Sequence, residues 1–244
     1  MAEIRAKGVI IKQHDYGEGH RIVSIFAEGF GIIKAVIYGA KKVKSGKAAS
    51  SQFLCFGEFE LVGGGDIMTL KSIDVSDSFF PISEDIEKLA LCSYFADITY
   101  AMLGECNGDD RLLRVLLNTL YALAYRDEDI MKIKSVYEIK LMSIEGYAPR
   151  TYGCGVCGSA AYAFDLAKGC TVCRNCMGYD SIKLSEGVYK ALRYIADGED
   201  RKMLSFTGND ELYKRLGELS ERYLLMHIDK KFPSLDYFKS IHNL

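Results

Sequence analysis

The sequence predicts an α+β protein: a small five-stranded barrel at the N-terminal end, then a helical bundle into which a four-cysteine zinc module is inserted. Three observations carry this. Up to residue 80, short stretches rich in β-branched and aromatic residues are punctuated by glycine turns, the mark of a small barrel. From residue 83 onward, apolar residues recur at helical spacing. Within that helical part, two C-x2-C pairs stand fifteen residues apart, a spacing typical of structural zinc.

The strands follow in order. Gly8-Val9-Ile10-Ile11 begins the first, and His20–Phe26 alternates as the second. A Glu28-Gly29-Phe30-Gly31 turn leads to the third, residues 32–38. Residues 53–62 and 67–75 supply the fourth and fifth, joined by Gly63-Gly64-Gly65-Asp66. Pattern alone fits an SH3-like barrel as well as any other five-stranded one.

Charge divides this barrel. Residues 1–50 hold nine Lys/Arg against four Asp/Glu, whereas residues 51–80 hold one lysine against five acids. Between Gly29 and Gly57 lie Lys34, Lys41, Lys42, Lys44 and Lys47 with no acidic residue. A flexible loop carrying lysines over 41–47 suits a phosphate backbone, although lysine runs are usually no more than solvated surface. Tyr38, Phe53 and Phe56 flank the loop; such rings stack on bases in some proteins and are core in more.

Pro81 closes the barrel, and Ser83 before Glu84-Asp85 reads as a helix N-cap with acids in the first turn. Leu91, Phe95, Ile98 and Met102 mark that helix to about residue 103. Leu113, Leu116, Leu117, Leu120 and Ala124 mark a second, apolar nearly all round and therefore expected to be buried. A third runs from Asp129 to Glu145 with Ile130, Ile133, Tyr137, Leu141 and Ile144 on one face, stopped by Gly146 and Pro149. Ser185 caps a helix to about Ala196, and Asp210 opens another through Ile228. The expected modules are 1–80 for the barrel, 81–150 for the bundle, 151–181 for the metal module and 182–244 for helices packing back on the bundle.

The cysteine segment reads CGVCGSAAYAFDLAKGCTVCRNC from Cys154 to Cys176. Tetrahedral zinc takes four thiolates at about 2.3 Å, and one tight C-x2-C turn presents two of them. The preferred ligands are Cys154, Cys157, Cys173 and Cys176; the competing set uses Cys170 with Cys173, twelve residues from the first pair. Gly158 and Gly178, just past each pair, allow the backbone to turn toward the sulfurs. A site closed by four sulfurs has no open position for a water nucleophile, so the metal is structural. A loop this short buries little surface and must dock on the bundle.

Composition sets the outer bounds. Apolar residues make up 49% and charged residues 26% of the 244, with a formal net charge of −2, ordinary values for a globular domain. No apolar run approaches the ~18 residues of a membrane span. MAEIRAKGVIIK lacks a secretory apolar core, so eight cysteines point to a reducing, cytoplasmic setting where clustered thiols bind metal. None of His14, His20, His227 and His242 stands in an H-x-E motif, and no phosphate loop or nucleophile elbow is present. Catalysis is therefore not expected. A zinc-ribbon scaffold acting only through protein contacts is the alternative to nucleic-acid binding.

Four stretches together resemble the RecO family of bacterial recombination mediators. They are DYGEGHRIVSIFAEGFGIIKAVIYGAKKVKS (15–45), SSQFLCFGEFEL (50–61), YEIKLMSIEGYAPRTYGCGVCG (137–158) and, more loosely, RYLLMHIDKKFPSLDYFKSI (222–241). The third is the most specific. Lys168-Gly169 stands where the family usually has Gly-Gly before its second pair, and Cys170 is added. The resemblance implies an N-terminal OB fold, a helical bundle and a zinc module. It implies binding of single- and double-stranded DNA, annealing of complementary strands, and action with RecR on strands coated by single-stranded-DNA-binding protein so that RecA can load. By the same resemblance Lys41, Lys42 and Lys44 match the family's basic loop, Arg21 its strand arginine, and Cys154, Cys157, Cys173 and Cys176 its cysteine pairs. Lys34 and Lys47 complete the expected DNA-binding set.

Overall fold

In the computed structural model, which describes residues 2–40, 51–103 and 109–242, the first part of the chain is a closed barrel. Its strands are β1 (Ala2–Tyr16), β2 (His20–Ala27), β3 (Gly31–Ile37), β4 (Phe56–Gly63) and β5 (Met68–Asp77). The order around the barrel is β1-β2-β3-β5-β4, with β1 pairing antiparallel to both β2 and β4, and β3 parallel to β5. This is the OB arrangement, which decides between the two barrels that pattern alone left open.

β1 starts six residues before the apolar run that announces it, because Ala2–Lys7 pair with β4. A register shift between Ile10 and Lys12 lets one strand serve both neighbours. Where β1 and β4 cross, Gly8 faces Gly57. A Cβ on Gly8 would stand 2.6 Å from the Phe26 carbonyl oxygen, and one on Gly57 2.2 Å from that of Asp74, so only glycine fits this crossing. Inward residues of every strand, among them Ile10, Val23, Ile25, Ala35, Phe59 and Leu61, close the core.

Seven helices are described: α1 (Phe80–Ser83), α2 (Ile86–Leu103), α3 (Asp110–Tyr125), α4 (Ile130–Ile144), α5 (Glu186–Asp197), α6 (Asp210–His227) and α7 (Pro233–His242). The cap of α2 differs from expectation. Pro81 starts a separate single turn, α1, within which the Ser83 hydroxyl donates to the Phe80 carbonyl. Asp85 then caps α2, accepting from the amides of Glu87 and Lys88. The all-round apolar helix also changes place. α2 buries Leu91, Tyr94, Phe95 and Ile98 completely, whereas α3 leaves Arg114, Asn118, Tyr121 and Tyr125 exposed as a stripe.

The chain divides into two compact units, the first Met1–Leu120 with Phe232–Leu244 and the second Tyr121–Lys231. In the first, α2 lies against β1, β3 and α7. Lys12 seats it from the barrel side, 3.3 Å from Asp97 and 4.1 Å above the Tyr100 ring. Ser234 of α7 donates to Asp97, and Phe232 meets Tyr94 edge-on.

In the second unit α4 packs against α5 and α6. The caps expected at Asp129 and Ser185 form, accepting from the Lys132 and Val188 amides; Asn209 caps α6. All of α4 from Met131 to Met142 is buried, charges included. Lys134 lies between Glu138 (2.9 Å) and Glu221 (3.0 Å). Lys140 reaches Asp200 and the Gly198 carbonyl. The same unit holds a small sheet, β6 (Ala163–Asp165), β7 (Cys170–Val172) and β8 (Ser181–Lys183), with β6 in the centre. It docks on the helices through Phe164, edge-on to Tyr223, and through the Tyr189 hydroxyl, which donates to the Thr151 carbonyl. None of the described helices is long and apolar enough to cross a membrane.

Candidate metal centre and nucleic-acid interface

The cysteine site is built by two short turns. The Gly158 amide donates to the Cys154 carbonyl, and Gly158 takes φ +77° as expected. The Cys176 amide donates to the Cys173 carbonyl across a single 3-10 turn, Arg174–Cys176. The Gly178 amide is used differently, donating to the Ser181 hydroxyl.

These turns bring the sulfurs of Cys154, Cys157, Cys173 and Cys176 within 4.8 Å of one another. Cys157 is 3.6 Å from both Cys173 and Cys176. That is far longer than the ~2.05 Å of a disulfide, and it fits the ~3.8 Å edge of a sulfur tetrahedron drawn ~2.3 Å around one ion. The four residues fit a metal ion. Cys170 stands apart from this group: it sits on β7, fully buried, with its sulfur against the backbone of Gly155.

The thiols are already polarised. Burial would raise Cys154, but amide donors from Cys173, Cys157 and Val156 outweigh it and bring the thiol down to about 6. Ser159 leads the donors that lower Cys157. Cys176 goes the other way, pushed up to about 12 because the sulfurs of Cys157 and Cys173 accept its proton. Four thiolates this close repel one another, and a cation is what lets all four ionise together.

The basic residues divide. Lys34 lies half-buried on β3, opposite Ser24. The Arg21 guanidinium is committed to the carbonyl and hydroxyl of Ser51 at 3.2 and 3.3 Å, tying β2 to the segment before β4. Lys41, Lys42, Lys44 and Lys47 lie outside the described residues. Tyr38 is 53% exposed rather than core, while Phe53 and Phe56 are half-buried. The acids of residues 51–80 fall mainly on β4 and β5, where Glu60 accepts from Ser72 and Lys71; these bonds hold its carboxyl down at about 2.

One feature of the second unit had no sequence signal. A cavity of roughly 210 Å³ has buried Val188 and Leu219 in its lining, with Lys183, Arg215, Glu218 and Arg222 exposed around it. Its residues come from β8, α5 and α6, so no single stretch displays it.

The family comparisons match both parts of the chain. Residues 1–79 match the model described as recombination protein O N terminal, and residues 83–236 the one described as recombination protein O C terminal. The chain belongs to the RecO family. A DNA repair protein RecO from Acetivibrio thermocellus is 35% identical, covering all of this chain and 99% of its own length. Those from Oceanobacillus iheyensis and Alkaliphilus metalliredigens are 34% and 26% identical, over 91% and 98% of this chain and 86% and 99% of their own. The resemblance seen in four stretches thus extends along the whole RecO sequence.

Proposed function

We propose that this protein is a non-enzymatic mediator of DNA repair and recombination in the cytoplasm. It binds single- and double-stranded DNA, joining the nucleoid when bound, and anneals complementary strands. With RecR it helps RecA load on strands coated by single-stranded-DNA-binding protein. The observation that carries this reading is membership of the RecO family along the whole chain, with an OB barrel in the segment of basic excess.

In this reading Lys41, Lys42, Lys44 and Lys47, with Lys34, neutralise phosphates and release counterions. If four lysines engage, log affinity falls with log salt at a slope of about −3 for single strands. Arg21, which also donates to Ser51, joins them as the strand arginine of the DNA-binding set. The metal is Zn2+, held by Cys154, Cys157, Cys173 and Cys176, and it supplies stability rather than chemistry.

The test is annealing of two complementary oligonucleotides, each coated with the cognate single-strand-binding protein. Annealing by the native chain and its loss in Lys41/Lys42/Lys44/Lys47→Ala are expected. No annealing by either, with fold and metal intact, would favour a scaffold that acts only through protein contacts. Equal annealing by both would move the DNA site off the lysine segment.

A further inference from the structure

The outer face of the barrel carries a row of rings that the lysine reading leaves unused. Tyr16 is the register partner of His20. The β2–β3 register ends at the Arg21–Ile37 pair, and just past it Tyr38, in the turn after β3, comes beside His20. The His20 and Tyr38 rings are 5.0 Å apart, edge to face at 74°. Residues directly opposite in antiparallel strands project from the same face. Since Val23, Ile25, Ala35 and Ile37 point inward, Tyr16, His20 and Tyr38 all point out. The tyrosines are 52% and 53% exposed. The Gly39 amide donates to His20 Nδ1 at 3.1 Å, which fixes the ring against which Tyr38 rests. Beside this row, Ile22 and Val36 form an apolar strip between strands.

We propose that Tyr16 and Tyr38, braced by His20, are a base-stacking platform that makes the barrel's grip selective for unpaired DNA. This rests on the DNA-binding reading above and deepens it. Phosphate contacts alone favour the duplex, whose two backbones carry the denser charge, so a preference for single strands needs a contact to the bases. A duplex keeps the faces of its bases stacked inside. A single strand offers them to exposed aromatic rings, whatever the sequence. Two half-exposed tyrosines on either side of His20, in the segment of basic excess, are chemistry for that contact and for no hydrophobic core. The lysine-rich stretch begins three residues past Tyr38 in the sequence, so phosphate and base contacts would come from adjoining parts of the chain.

Binding of a labelled oligothymidylate and of a duplex of mixed sequence is measured by anisotropy across a salt series. The proteins are the full chain, Tyr16→Ala, Tyr38→Ala and Tyr38→Phe. Stacking contributes to affinity apart from counterion release, so each alanine variant is expected to lose single-strand affinity by roughly 5- to 100-fold. The salt slope and the duplex affinity stay unchanged, and Tyr38→Phe binds as the native chain does. A photocrosslink from 5-iododeoxyuridine mapped to Tyr16 or Tyr38 supports the same contact without any substitution. Alanine variants that bind single strands normally, or that lose single and double strands alike, overturn the platform while leaving DNA binding in place. A native chain that binds no single strand overturns both the platform and the reading beneath it.

Discussion

The cysteine knuckle and the outer face of the barrel hold contrasting sites. In the knuckle, four sulfurs from 23 consecutive residues converge within 4.8 Å, and Cys154 is almost wholly buried. On the barrel, rings from β1, β2 and the turn after β3 lie near one another, with about half of each tyrosine in water. One arrangement suits permanent retention, since the four sulfurs face one another and a cation relieves their mutual repulsion. The other suits contact and release, since nothing must unfold for a base to come or go.

The largest expected effect removes the metal. Structural zinc contributes ~10–16 kcal/mol of apparent binding energy coupled to folding in small peptides. Cys154→Ser or a strong chelator should therefore expose residues 150–183 to limited proteolysis and lower the melting temperature. Oligonucleotide binding by the barrel should outlast that loss. A variant that stayed folded but no longer bound DNA would break the division between the two regions. Cys170→Ser, by contrast, should still bind one metal equivalent by absorption spectroscopy of the cobalt-substituted protein.

Acid should act on the same centre. The Cys154 thiol is held at about 6, below its ordinary value of 9.0. Its contribution is thus fully present above the unfolded value and disappears as pH falls through about 6. Cys176, raised to about 12, contributes below its ordinary value of 9.0 and loses that on passing about 12. Metal uptake must displace this proton, so competition titrations should show proton release on binding and affinity falling steeply below pH 6.

Lys134→Ala offers a yardstick inside the knuckle's own unit but away from its sulfurs. It would leave Glu138, fully buried, without its lysine, and breaking such a pair costs about 3–5 kcal/mol. Urea unfolding should register that loss while metal stoichiometry stays at one. Removing a cap is gentler: Asp129→Ala should cost about 0.5–2 kcal/mol through the lost bond to the Lys132 amide. Tyr16→Ala and Tyr38→Ala should shift stability least, within about 0.5 kcal/mol. A larger drop in either would mean that the barrel's rings serve packing rather than contact.

What could be read in advance follows how locally each feature is made. The knuckle lies in one stretch, so spacing alone brought out the four sulfurs that the fold gathers. Barrel and helices were legible from alternation and from caps such as Asp129 and Ser185. The cap of α2 was misplaced by two residues, because a proline turn intervened and moved the start from Ser83 to Asp85. α7 went unread because it is short and begins at a proline, which also marks chain breaks. Buried Lys134 and Lys140 cannot be found by hydrophobic periodicity, since their partners Glu221 and Asp200 lie far along the chain. Tyr16 and His20 had a signal that was passed over. The turn Gly17-Glu18-Gly19 sets them opposite each other, and counting across it would have given the row.

The division of the chain has a bearing on the order of assembly during synthesis. Residues 121–231 form a unit whose sequence is complete before the first unit is, because that first unit also requires Phe232–Leu244. Phe232 against Tyr94, Ser234 on Asp97 and His242 on Glu87 cannot form until residues 232–242 leave the ribosome. Units generally fold as they emerge. The barrel, translated first, therefore waits with α2 uncovered while the metal-bearing unit matures.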